Sequence, residues 1–210
     1  MTSTIIPAMK KIVEYPKINI VDVGAARASF LVELDKLVDL SKVFAIGIDP
    51  IDHGIAEHYD KFYNACIDDV DSPTEMDFYR NIKDDQASSL CVPSKGRMNK
   101  YEDSIKVQVL NLNHIISDEI PEEIIHFLKI DAEGKDLCII KSLEKSILER
   151  IKYIAIECPM TSPRHDGEST KDECIKYFES IGFEICFVHD TDNGSAALDV
   201  GEASVSAIRT

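Results

Sequence analysis

No two of the six cysteines (Cys66, Cys91, Cys138, Cys158, Cys174 and Cys186) stand within a few residues of each other. Zinc and dithiol redox sites need such close pairs, so neither is indicated. Several of these thiols sit in apolar segments, where cysteine packs as a small hydrophobe, and they read as reduced and structural. Long apolar runs are missing too: none approaches the roughly 18–20 residues that a bilayer span requires. Met1 to Lys10 has no basic stretch leading into an apolar one, so it does not read as a signal peptide and the expected location is the cytoplasm. Basic residues are scarce, 23 Lys and Arg against 38 Asp and Glu, giving a formal net charge of −15. Such a chain has no surface to displace phosphate counterions or to sit on an anionic membrane, which argues against nucleic-acid partners. A neutral or cationic small ligand suits its field better. No repeat, low-complexity tract or Pro/Gly/Ser-rich linker divides the 210 residues, so one domain over 1–210 is expected.

What is present is an alternation of β-branched runs with helical patterns. Strands are expected at Ile18–Val23, Val43–Ile48, Ile105–Leu110, Ile125–Ile130 and Tyr153–Glu157, with a short one in Lys61–Ile67. Helices are expected at Phe30–Leu40, Leu137–Leu148 and Thr170–Ile181, the last stopping at Gly182 as a left-handed cap requires. This order predicts an open, mostly parallel α/β sheet covered on both faces. Phe183–His189 and Ala203–Arg209 have no helix between them, so the closing pair should be antiparallel.

Three strand ends carry chemistry. The first opens into Asp22-Val23-Gly24-Ala25-Ala26-Arg27-Ala28, whose small residues allow close backbone approach to a ligand. It is not a pyrophosphate-binding glycine fingerprint, since only Gly24 is glycine and Asp22 would repel a phosphate. An acid there suits an adenosyl ligand with an amino-acid tail, whose ammonium could donate to the Asp22 carboxylate. The second strand ends in Ile48-Asp49-Pro50, where an acid is placed for ribose hydroxyls. The third is Leu128-Lys129-Ile130-Asp131-Ala132-Glu133-Gly134: two carboxylates at i, i+2 at the carboxyl end of a strand. They can hold a cation, take a proton or orient a hydroxyl.

With Asn64-Ala65-Cys66, Ala87-Ser88-Ser89-Leu90 and Ile154-Ala155-Ile156-Glu157, these pieces resemble the FkbM family of S-adenosylmethionine-dependent methyltransferases from about Ile18 to Val188. The resemblance implies a Rossmann-like class I methyltransferase fold: a mostly parallel seven-stranded sheet with helices on both faces and an antiparallel C-terminal strand. It implies S-adenosylmethionine as cofactor, held by Asp22, Gly24, Ala25, Asp49, Pro50 and Ala65. It also implies methylation of a hydroxyl on a small acceptor, often a sugar or glycan in this family. The chain departs from the family pattern at Ala26-Arg27-Ala28, where Asn-x-Gly is usual, and at Asp49, where Glu is frequent. Ala28 is expected to add a methyl near the cofactor tail. A non-catalytic binding protein on this fold, or a dinucleotide-dependent oxidoreductase, are the competing readings.

An alcohol needs a base or a metal to give up its proton. Asp131 is the first candidate base, with Glu133 beside it and His165 in the loop after the Tyr153–Glu157 strand as another. Asp131 and Glu157, on neighbouring strands, could instead bind Mg²⁺ through oxygen. Alternation alone leaves open which face Lys129 takes. The polar stretch from Asp84 to Asp103, with Ser88, Ser89, Lys95, Arg97, Lys100 and Tyr101, reads as a lid, an acceptor surface or a solvated connector. An Asn/Asp-Pro-Pro-aromatic motif, the mark of base amino-group methylation, is absent.

Overall fold

The computed structural model describes residues 12, 14–81, 85–93, 101, 104–161, 165, 167–191 and 202–209. Met1 to Lys10, Lys95, Arg97, Lys100, Arg164, Asp166 and the loop expected between the last two strands lie outside the described residues. Seven strands form the main sheet: β1 (Ile18–Val23), β2 (Val43–Ile48), β3 (Lys61–Tyr63), β7 (Ile125–Ile130), β8 (Ile151–Pro159), β9 (Glu184–Thr191) and β10 (Glu202–Ile208). Their spatial order is β3-β2-β1-β7-β8-β10-β9. The pairs from β3 through β8 are parallel, and β10 runs antiparallel to both β8 and β9. Only the C-terminal strand is reversed, as expected for the class I methyltransferase sheet.

Every residue of β1 and β7 is buried, because these central strands are covered on both faces. One layer packs Ile46, Val21, Leu128 and Ile154 beneath helices α2 (Leu112–Glu119), α3 (Asp136–Ser142) and α5 (Lys171–Ser180). The opposite face packs Ile20, Ala45, Phe127 and Tyr153 under α1 (Ser29–Asp35). Parallel pairing sends Val23, Ile48, Ile130 and Ile156 to one edge in register, so the segments that follow them converge.

Three local expectations change. The helix expected over Phe30–Leu40 ends at Asp35; Leu37 and Val38 donate back to the Leu34 carbonyl, and Asp39 caps a separate 3₁₀ turn at Leu40–Lys42. The helix expected over Leu137–Leu148 breaks at Leu143, which is extended, into α3 and α4 (Lys145–Leu148). Asn113 holds that break: its amide donates to Ser142 O and its oxygen accepts from Glu144 N. Lys61–Ile67 divides at Asn64-Ala65. Its second half becomes β4 (Cys66–Ile67) in a separate small sheet with β5 (Thr74–Phe78) and β6 (Ile105–Leu110), ordered β4-β6-β5. Ile105–Leu110 is thus a strand, but of this small sheet. Among the described residues no helix is long and apolar enough to cross a membrane.

Candidate active site

A cleft of about 330 Å³ opens at the carboxyl ends of β1, β2, β7 and β8, within the size range of small-ligand sites. Of the sequence candidates, Gly24, Asp49, Pro50, Ala65, Asp131, Glu133 and Glu157 line it. The small sheet and the Gln86–Leu90 segment close one side with Cys66, Ile67, Phe78, Ala87 and Leu90.

The turn after β1 is fixed from both sides. Gly24 N and Ala25 N donate to Ile48 O, and Asp131 N donates to Val23 O. Gly24 has φ +72°, and a Cβ there would lie 1.9 Å from Asp131 O, so only glycine lets these two strand ends touch. Ala26 and Ala28 also take positive φ, 44° and 54°, at a cost of about 1–2 kcal/mol each. Ala28 does not line the cleft; it is 1% exposed and packs in the core with Phe30 and Leu31, so its methyl points away from where the cofactor tail was expected. Ala25 is likewise buried in that core.

Asp49 is 8% exposed, and each of its oxygens accepts one backbone amide, Oδ2 from Ala26 N and Oδ1 from Ile51 N, both at 2.9 Å. Burial pushes its carboxyl above the usual range, against the opposing pull of those two amides. Each oxygen keeps a second lone pair for a ligand hydroxyl. Asn64 Nδ2 donates to Asp49 O and so draws Ala65 to the same wall.

Asp22 is placed differently from the expectation that it meets a cofactor ammonium. It is wholly buried behind the cleft, with Oδ1 2.9 Å from Lys129 Nζ and Oδ2 2.7 Å from Tyr59 Oη. The in-register pair Asp22↔Lys129 settles which face Lys129 takes. Lys129 Nζ also donates to Gly24 O at 2.7 Å and lies 3.8 Å from Asp131 Oδ2. Burial works against its charge, but Asp22, Asp131 and Asp49 more than offset that and hold it protonated. Burial and the Asp22 charge push the Tyr59 phenol far up, so it stays a donor.

Asp131, Glu133 and Glu157 each offer an oxygen within 4.8 Å of the others. Glu133 has φ 47°, a strained left-handed conformation of the kind found at functional sites, and Gly134 follows at 108°, which glycine takes without strain. The strain is held in place locally: Asp136 accepts from Gly134 N, and Ser89 Oγ donates to Glu133 O. His165 does not join these acids. It is 3% exposed, stands behind Gly134 with Nδ1 3.2 Å from where a Cβ would be, and meets Tyr101 Oη through Nε2 at 3.1 Å. Its backbone bridges Pro93 and donates to Glu168 Oε2. It supports the loop that bears Glu133 and does not reach the cleft. Lys129, Tyr59 and Ser89 are the contributors that reasoning from the sequence left undecided or passed over; the i, i+2 spacing of Lys129 and Asp131, which puts both on one face of a strand, was the available signal.

A methyltransferase FkbM domain matches residues 22–185, more than half of the chain. No curated protein matches it in sequence. Among solved structures, it is similar to an FkbM methyltransferase from Methylobacillus flagellatus KT (TM-score 0.51, 16% identity, 91% of this chain and 44% of that one). It is also similar to the N-methyltransferase NodS from Bradyrhizobium japonicum WM9 (TM-score 0.52, 6% identity, 99% and 93%). Magnesium protoporphyrin IX methyltransferase from Synechocystis PCC 6803, solved with bound SAM, has TM-score 0.51 at 10% identity, over 100% and 78%. At such identities the structural likeness speaks for the fold. The family rests on the domain match: this chain belongs to the FkbM methyltransferase family.

Proposed function

We propose that this chain transfers a methyl group from S-adenosylmethionine to a hydroxyl of a small, sugar-containing acceptor. The observation that carries the reading is the disposition of carboxylates in one cleft, Asp49 on one side of β1 and Asp131, Glu133 and Glu157 on the other. Asp49 suits a ribose diol, and Gly24, Pro50 and Ala65 supply close, uncharged walls. The bound cofactor supplies an electrophilic methyl on a sulfonium. That positive charge fades during transfer, so carboxylates hold the cofactor without lowering the barrier by charge alone. The protein's work is then alignment and proton removal. Asp131 takes the acceptor proton, and Glu133 beside it orients the hydroxyl. Choice of oxygen and of a sugar rests on family resemblance, since similar structures belong to enzymes of varied acceptors. The acidic charge suits a neutral or cationic small-molecule ligand, and the reading places the enzyme in the cytoplasm.

The convergence of three carboxylates supports a second reading of the same rim. Asp131 and Glu157, with Glu133, fit a hard divalent ion such as Mg²⁺, which takes one or two carboxylates and keeps waters. There the ion would acidify the acceptor hydroxyl.

The test is calorimetric titration with S-adenosylmethionine, S-adenosylhomocysteine and NAD, followed by a sugar-acceptor screen for S-adenosylhomocysteine release, with and without Mg²⁺. Micromolar binding of the adenosyl pair but not NAD, with acceptor-dependent release, is expected. Loss of release in EDTA, restored by Mg²⁺, selects the metal reading. Failure of the adenosyl pair to bind overturns the assignment, and binding without release for any hydroxylated acceptor leaves a non-catalytic binder.

A further inference from the structure

Lys129 is the one lysine or arginine among the described residues that is buried, and it lines the cleft. An ammonium has three N–H donors. Two are used, on Asp22 Oδ1 at 2.9 Å and Gly24 O at 2.7 Å. The other carboxylate paired with it, Asp131 Oδ2, is 3.8 Å away, beyond hydrogen-bond distance. A buried cationic donor left without an acceptor is costly, so the third N–H calls for a partner from the cleft. Lys135, the other cation lining the cleft, is tied to Asp68 at 2.7 Å.

Asp22 is not placed to bind anything in the cleft, because it has no exposed surface and is not among the residues that line it. The group that a buried lysine beside a carboxylate fits is a zwitterion. On the reading that the cleft takes an adenosyl cofactor, that zwitterion is the cofactor's amino-acid tail.

We propose that Lys129 binds the carboxylate of that tail through its third N–H. The tail's ammonium lies against Asp131 Oδ2, which leaves Asp131 its second oxygen for the acceptor. The 3.8 Å gap between Lys129 and Asp131 is the opening that the tail bridges. Lys129, anchored by Asp22 and Gly24 O, is then a rigid anion site in which little side-chain freedom remains to be lost on binding.

The experiment crosses a ligand change with a residue change. S-adenosylhomocysteine and its decarboxylated analogue, which keeps the ammonium, are titrated by calorimetry into the wild-type chain and into Lys129→Met combined with Asp22→Asn. The second substitution avoids leaving a buried carboxylate unpaired, and thermal melting checks that the variant folds. A charge-assisted hydrogen bond predicts that losing the ligand carboxylate weakens wild-type binding by about tenfold or more. The double variant should bind both ligands with the same, weakened affinity. Equal affinity of the two ligands for the wild type overturns the proposal, and that arm needs no variant. So does a variant that retains the preference for the carboxylate. If the wild type binds neither ligand nor 5′-methylthioadenosine, the cofactor reading itself has failed; if it binds methylthioadenosine as tightly as the homocysteine compound, only the tail assignment has.

Discussion

The Asp49 carboxylate accepts the backbone amide of Ala26 across 2.9 Å, tying the end of β2 to the turn that follows β1. One side chain thereby shapes the cleft and faces it. Asp49→Ala should lower affinity for S-adenosylhomocysteine by about ten- to a hundredfold, because it removes a charged acceptor and frees the turn. Calorimetry reads this directly; unchanged affinity would remove Asp49 from the cofactor site.

Asp131→Ala should show the opposite balance. Turnover falls by about a hundredfold or more, as for loss of a general base, while affinity for S-adenosylhomocysteine falls by less. Equal losses in both quantities would mean that Asp131 only holds the cofactor.

Much of this site could be read from the chain because its carboxylates sit at strand ends, and strands announce themselves by β-branched runs. Ile18–Val23, Val43–Ile48 and Ile125–Ile130 form strands with the residues expected, so Asp49 and Asp131 fall at one edge of the sheet. What could not be read depends on partners distant in sequence. Asp22 looks like a ligand-facing acid until Lys129, 107 residues away, is found in register with it. His165 looks like a loop base until Pro93 and Tyr101 are found covering it. The break at Leu143 is made by Asn113, on another helix. The small sheet is hidden in the sequence because β5, Thr-Glu-Met-Asp-Phe, is mostly exposed and polar, so it has little hydrophobic signature.

Gly24→Ala should be destabilising as well as inactivating. A methyl at φ +72° and 1.9 Å from Asp131 O must push apart the ends of β1 and β7. Strain and overpacking together predict a loss on the order of 3 kcal/mol or more, read as a lower denaturant midpoint at constant slope. A wild-type midpoint would show that the two strand ends are not in contact in solution.

Tyr59→Phe tests the support beneath the cleft. It removes the only donor to Asp22 Oδ2 among the described residues, leaving that oxygen buried and unsatisfied. A loss of about 1–3 kcal/mol in unfolding free energy is expected. Tyr59→Leu should cost more, because the ring also lies against Gly47, where a Cβ would come within 2.6 Å of it. A Phe variant as stable as the wild type would place water or another donor at that oxygen.

At the far end of the sheet, stability should depend on pH through one histidine. His126 Nδ1 accepts the backbone amide of Asn19 at 3.0 Å, and its ring meets Tyr15 edge-on. Burial, and to a lesser degree Lys152, push its pKa below the ordinary histidine value; Glu123 pulls weakly the other way. A histidine with a depressed folded-state pKa binds its proton more readily when unfolded. Its contribution to stability is therefore full above the ordinary value of about 6.5 and is lost as pH falls from there through the folded-state pKa. The chemical cause is local: a protonated Nδ1 cannot accept from Asn19 N. His126→Asn keeps an acceptor and cannot charge. Denaturant unfolding of the wild type and this variant, compared between pH 7.5 and 5.5, should show the wild type losing more stability on acidification. Parallel losses in the two proteins would mean that other groups govern the acid response and that His126 titrates alike in the folded and unfolded chain.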